Sequence, residues 1–161
     1  MRWKTLLVLS TAVAPWGVGC SDSTAPAPVP MQFTATLNAA NELRTPPVNS
    51  TATGTALIVL SGDTLTYTVT ATGLTSSVVA SHIHVGTPAT VSGKVVNGFQ
   101  TNAVTTGTVA SGFILLSTLV VSTSQVSGDS LRTLLNTGNA YVNVHTSMNP
   151  GGEIRGQLVQ Q

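Results

Sequence analysis

The side chains of this sequence that are best suited to chemistry are its three histidines, His82, His84 and His145. In the run Ser81-His82-Ile83-His84-Val85, the alternation of a β-strand places both imidazoles on one face and the apolar side chains on the other. Residues two apart along a strand are separated by roughly 6.5–7 Å, so both imidazoles can reach one metal ion. The spacing therefore predicts one half of a metal site.

Two later strands supply candidates for the other half. In residues 141–145 the alternation sets His145 opposite two valines, and in residues 153–158 it sets Glu153 and Arg155 opposite Ile154. The turn residues 149–152 (Asn-Pro-Gly-Gly) predict that these strands pair as neighbours. With the apolar faces turned into the core, the remaining polar face contains His82, His84, Asn143, His145, Glu153 and Arg155.

These residues fit two interpretations. Three imidazoles form a ligand set that copper or zinc accepts. Strand histidines also hold neighbouring strands together by hydrogen bonds, and Asn143, Glu153 and Arg155 would belong to such a polar network. The sequence offers no nucleophile elbow, no phosphate loop and, with one cysteine, no CxxC pair, so we expect a protein that is not an enzyme.

The elements that must position these residues are mostly β-strands, because apolar side chains alternate with threonines over residues 64–72. One segment, 128–136, has leucines at helical spacing, with Asp129 as a candidate cap and Gly138 after its end. We therefore predict an all-β antiparallel sandwich with one short helix. The predicted strands are 31–38, 56–60, 64–72, 79–85, 93–98, 105–117 with a candidate break at Gly112, 139–146 and 153–160.

Composition excludes one class of partner. The chain has 6 basic and 5 acidic side chains, and Arg2 and Lys4 lie in the first 20 residues, which leaves 6 − 2 = 4 basic side chains. No basic face for a nucleic acid is available. Trp3 and Trp16 lie in the same leader, so the remaining chain has no tryptophan platform for sugars or bases.

Residues 1–20 have the pattern of an export signal, with a basic start, a short apolar run and small residues at the end. Cleavage after Ala14 would release an unanchored secreted protein. The run Gly17-Val18-Gly19-Cys20 resembles a bacterial lipobox, which implies cleavage before Cys20 and its lipidation. Lipidation would explain an unpaired cysteine in an exported chain, and two or more acyl chains would anchor it stably in a membrane.

The lipobox also divides the chain into regions. A lipoprotein signal peptide would cover residues 1–20, a proline-rich tether residues 21–30 and a single domain residues 31–161. Ser21 resembles the residue that directs bacterial lipoproteins outward, which implies an outer-membrane or cell-surface location. The membrane is then one partner, and an envelope or extracellular ligand of unknown identity is another.

The domain resembles the CHRD (chordin-type) family in four segments: 33–37 with Asn41-Glu42 and Pro46-Pro47-Val48; 52–56; 82–86; and 141–146 with 150–158. The resemblance implies an immunoglobulin-like β-sandwich with a faint similarity to copper–zinc superoxide dismutase, carried here by Gly73-Leu74 and His82-Ile83-His84. The chain lacks a fourth histidine and a disulfide, so dismutase activity is not expected.

The expected function is that of a lipid-anchored, non-catalytic CHRD module of the cell envelope, in the bacterial lipoprotein form. The alternative is a copper- or zinc-binding protein, or a weak metalloenzyme, that uses the three histidines.

Overall fold

The computed structural model describes residues 29–122 and 126–161. The predicted signal peptide, Cys20 and most of the tether lie outside the described residues. The elements are β1 Met31–Asn38, β2 Thr53–Ser61, β3 Thr64–Thr72, β4 Val78–Val85, β5 Val95–Gly98, β6 Gly107–Leu115, α1 Gly128–Asn136, β7 Ala140–Thr146, β8 Ile154–Gln157 and β9 Val159–Gln160. Short 3₁₀ helices follow β1 and β6, over Ala39–Asn41 and Leu116–Thr118.

The strands are antiparallel and form one hydrogen-bonded path in the order β5-β4-β7-β8-β1-β2-β3-β6, while β9 pairs with β1. The chain that leaves β5 crosses towards β6, where Thr101 forms a bridge with Ala110. The path is therefore curled, and its two edge strands are brought together. The predicted all-β class with one short helix is confirmed, whereas a sandwich of two separate sheets stays a prediction.

Strand β3 shows how the alternation produces the core. Leu65, Tyr67 and Val69 are buried, and the threonines between them face outward. The Tyr67 ring stacks on Phe99 with ring centroids 4.1 Å apart. A Cβ at Gly112 would lie 2.6 Å from the Tyr67 hydroxyl, so the glycine makes room for the ring. The predicted interruption of this strand at Gly112 is wrong, because β6 continues through that residue.

The helix has the predicted bounds, but a different residue caps it. The Ser127 hydroxyl accepts a hydrogen bond from the Ser130 amide at 3.2 Å, which is the N-cap contact that the sequence analysis assigned to Asp129. Asp129 instead lies in the first turn, where a carboxylate is stabilised by the helix dipole. Leu131 and Leu135 are buried. No described helix has the length and apolar character needed to cross a membrane.

Candidate metal centre

The register of β4 with β7 brings the histidines together. His82 pairs with Asn143, His84 with Tyr141 and Ala80 with His145, so the three imidazoles share one face of adjacent strands. The residues between them, Ile83, Val142 and Val144, are fully buried in the hydrophobic core. The core therefore fixes the direction of the histidine side chains through the alternation of both strands.

The three imidazoles are close enough to share one ion. His82 Nδ1 lies 3.1 Å from His145 Nε2. One ligand nitrogen from each of His82, His84 and His145 lies within 4.8 Å of the other two. Among the described residues, this is the one group of three or more His, Cys, Asp or Glu side chains with such geometry.

Backbone carbonyls orient two of the rings. His84 Nδ1 lies 2.9 Å from the Gly93 carbonyl oxygen, and His145 Nδ1 lies 3.0 Å from that of Pro150. Since a carbonyl only accepts, each Nδ1 carries the proton and each Nε2 keeps its lone pair. His84 Nε2 is buried and has no hydrogen-bond partner among the described residues. Carbonyl contacts of this kind are typical of metal-binding histidines.

The surroundings favour uncharged imidazoles. Burial lowers the pKa of all three rings. The pKa of His82 is lowered to about 4 by burial and by the neighbouring His145 and His84. The contacts with Gly93 and Pro150 oppose this change for His84 and His145 but do not reverse it. The rings therefore keep the lone pairs that a metal ion requires at neutral pH.

In the metal-free protein we expect the His82 ring to titrate near pH 4, because burial and the neighbouring His145 and His84 lower its pKa. Proton NMR of the imidazole resonances measures this directly. Because the unfolded chain takes up the proton first, this histidine should make stability fall as the pH decreases from about 6.5 to about 4. A His82 resonance that titrates near pH 6.5 in the folded protein would contradict the described packing.

An aromatic stack supports His84 from the side. The His84 and Tyr141 rings are 4.8 Å apart and nearly parallel, at 6°. The Arg155 guanidinium lies 3.5 Å from the centroid of Tyr141. The Tyr141 hydroxyl also accepts a hydrogen bond from the Gly93 amide at 2.9 Å, so Tyr141 positions both His84 and the segment whose carbonyl orients it.

Arg155 holds the loop between β4 and β5. Its Nη1 and Nη2 donate to the carbonyl oxygens of Thr90, at 2.6 Å, and Thr87, at 3.1 Å. Only 2 % of this side chain is exposed. Asn143 lies beside it, because the two residues are directly paired across β7 and β8. Two of the three residues of the predicted polar network, Asn143 and Arg155, therefore lie next to the imidazole cluster.

Glu153 lies in a different network. Its carboxylate accepts from the hydroxyls of Ser50, Thr75 and Thr146, from the Thr75 amide and from the Asn149 side chain, over 2.6–3.3 Å. Thr146 follows His145 and points to the opposite face of β7, so Glu153 does not share the imidazole face as predicted. The physical reason is that Glu153 precedes the first residue of β8 and belongs to the turn, where strand alternation does not apply.

Glu42 is a further buried carboxyl residue near the centre, and strand periodicity did not single it out. Burial raises the pKa of its carboxyl to about 7, although Arg155, Arg44 and a hydrogen bond with Asn143 favour the charged form. Its Oε1 atom has no hydrogen-bond partner among the described residues. Periodicity could not identify Glu42, because it follows the short 3₁₀ helix after β1 rather than a strand position.

The fold and site together define an antiparallel β-domain with a cluster of three imidazoles on two adjacent strands. Residues 33–158 match the family model of the CHRD domain, so the chain belongs to the CHRD family. The match covers nearly all of the β-domain. It identifies an extracellular type of module, which is compatible with export. No curated protein and no solved structure matches the chain.

Proposed function

We propose that this chain is an extracytoplasmic, non-catalytic CHRD module that binds one copper or zinc ion through His82, His84 and His145. The observation that carries the proposal is the convergence of one nitrogen from each of three imidazoles within 4.8 Å. In addition, the Nε2 atom of His84 is buried and has no hydrogen-bond partner among the described residues. Leaving such an atom unpaired costs free energy, which a metal bond would recover.

The donor set fits these metals. Two nitrogens bound tetrahedrally to one ion at 2.0–2.1 Å are about 3.3 Å apart, close to the 3.1 Å between His82 Nδ1 and His145 Nε2. Imidazole suits copper and zinc, whereas calcium and magnesium prefer oxygen ligands. When bound, the ion would supply a Lewis-acidic centre. The carbonyls of Gly93 and Pro150 would keep His84 and His145 oriented towards it.

The alternative function is purely structural. The His82–His145 contact is itself a hydrogen bond that joins β4 to β7 without a metal ion. In that case the imidazoles would only contribute to strand pairing, and the protein would bind copper or zinc weakly or not at all.

Titration of the purified domain with copper and with zinc distinguishes the two functions. We expect one ion per chain. The His84→Ala variant should lose more than about 100-fold in affinity, because loss of a residue that only hydrogen-bonds to a metal ligand already costs about 10–100-fold. Ser81→Ala is the matched control, because Ser81 lies on the same strand as His84. The substitution removes a buried hydrogen bond from Ser81 to the Asn143 carbonyl but leaves the three imidazoles intact. Weak binding, or equal binding by wild type and His84→Ala, would reject the metal site.

We also propose that the domain is anchored in a bacterial membrane, on the outer membrane or the cell surface, through a lipidated Cys20. The lipobox-like run that ends at the single cysteine, together with the extracellular type of the domain, supports this location. Mass spectrometry of the protein from its native membrane should find a mature N-terminus at Cys20 that carries acyl chains. An unmodified thiol at Cys20, or cleavage after Ala14, would contradict the anchor.

A further inference from the structure

One end of the β-domain, which we call the proximal end, contains the point where the chain enters β1. Met31 pairs there with Leu60, and Thr64 pairs with Leu115. The C-terminal residue lies at the same end, since the Gln161 amide donates to the Gln32 carbonyl. The proximal end thus comprises the start of β1, the turn 61–63, residues 115–122 and the C-terminus. The distal end comprises the opposite strand termini and the loop 147–153.

Exposed apolar side chains are concentrated at the proximal end. Val120 and Val121 are adjacent in sequence and 71 % and 73 % exposed. The other large apolar side chains that are exposed towards this end are Val29, Phe113 and Leu115. Leu57 and Val159 lie midway along the strands, and the distal end has Leu43, Val79 and Met148. Consecutive exposed valines are unfavourable in water and are typical of a surface that contacts another apolar phase.

Two of the four basic residues outside the leader flank these valines. Lys94 donates to the Ser122 carbonyl at 2.9 Å, and Arg132 donates to the Gly62 carbonyl at 2.8 Å. Long basic side chains beside apolar ones suit the boundary between lipid headgroups and acyl chains. Asp63 and Asp129 lie nearby, so the apolar contact rather than net charge would dominate.

The length of the preceding chain limits which end can face a membrane. Cys20 and Val29 are nine residues apart, so an anchored Cys20 lies within about 32 Å of Val29 even when the chain is fully extended. The nine-residue strand β2 is about 30 Å long. The proximal end can therefore rest on the bilayer with a short, relaxed connection, whereas contact by the distal end requires the connection to run back along the whole domain.

We infer that the proximal end is a membrane-contact surface, in which Val120 and Val121 enter the headgroup region of the bilayer that holds Cys20. This inference rests on the anchoring part of the proposed function. The acyl chains provide the affinity, and the valines fix the orientation of the domain. His145, whose ring contacts the distal loop through Pro150, then points away from the membrane.

Tryptophan fluorescence can test this orientation, because both native tryptophans precede Cys20 and are absent from the lipidated chain. The full chain is produced with Val120→Trp, purified in its acylated form and placed in phosphatidylcholine–phosphatidylglycerol vesicles that contain brominated lipid. Met148→Trp is the matched control, since Met148 is 70 % exposed at the distal end. Val121→Trp gives an independent reading should the first substitution disturb folding.

We expect blue-shifted emission from Val120→Trp and Val121→Trp and at least threefold stronger quenching by brominated lipid than for Met148→Trp. Equal quenching at the two ends, with acylation verified by mass, would overturn the orientation and leave the anchor intact. Blue-shifted emission that depends on protein concentration and not on vesicles would assign the surface to a second copy of the chain, and also overturn it. A mature chain without acyl groups would remove the anchor, and the orientation with it.

Discussion

Replacement of Glu153 by glutamine is expected to lower the free energy of unfolding by about 1–3 kcal/mol, the cost of leaving a buried hydrogen-bond donor without its acceptor. The side chain is 0 % exposed, and its contacts join the turn before β8 to the segments before β2 and β4. Glutamine retains one acceptor oxygen and places an amide donor against hydroxyls and amides that already donate. Several buried donors would then lack an acceptor.

Urea denaturation measures this loss, with Asp129→Asn as the control. Asp129 is a carboxylate in the first turn of α1, and its neutralisation should cost only about 0.3–1 kcal/mol, the value of its interaction with the helix dipole. Equal stabilities of Glu153→Gln and wild type would show that the described network does not hold the turn in place.

The same carboxylate should give the wild type part of its sensitivity to acid. Burial would raise the pKa of Glu153, but the hydrogen bonds from Thr146, Ser50 and Thr75 outweigh it, so the pKa lies below its usual value of 4.5. The unfolded chain therefore takes up the proton first, and the stability that Glu153 contributes above pH 4.5 is lost as the pH falls through the lowered pKa. The stability difference between wild type and Glu153→Gln should shrink over that range.

A copper or zinc ion at 1,000 times its dissociation constant is expected to raise the free energy of unfolding of the wild type by about 4 kcal/mol. The reason is that the folded chain presents three converging imidazoles, whereas the unfolded chain holds His145 far along the sequence from His82 and His84. Differential scanning calorimetry with and without the ion measures the change as a higher Tm.

Two controls make the calorimetric result specific. Magnesium, which prefers oxygen ligands, should leave the Tm unchanged. His84→Ala should show little stabilisation by copper or zinc, while Ser81→Ala should respond as the wild type does. Equal stabilisation of wild type and His84→Ala would mean that the ion binds elsewhere on the protein.

Local patterns were sufficient to predict most elements of the fold. Alternation identified β3, and helical spacing identified α1 with its observed bounds, because both depend on residues close in sequence. The pairing of β7 with β8 also followed from the short turn between them. In contrast, the register of β4 with β7 joins residues about sixty positions apart, and it depends on core packing that no local pattern specifies.

Strand alternation predicted only part of the environment of the candidate metal centre. Alternation assigned the three histidines to a common face, but not the stacking of Tyr141 between His84 and Arg155, because stacking depends on ring orientation. It misplaced Glu153, which lies in a turn, and it gave no signal for Glu42. Both carboxyls are positioned by segments distant in sequence, so only the three-dimensional packing reveals their environments.

The bridge between Thr101 and Ala110 has a consequence for the solubility of the domain. Strands rich in valine and threonine readily add a further strand from another molecule when their edges are free. Here the chain after β5 covers part of β6, where the backbone amide of Asn102 donates to the Val109 carbonyl and its side-chain amide donates to the Thr108 carbonyl. The opposite edge strand, β5, has only four residues. Curling of the sheet thus protects a sparsely charged, threonine-rich chain against fibril-like association with other copies of itself.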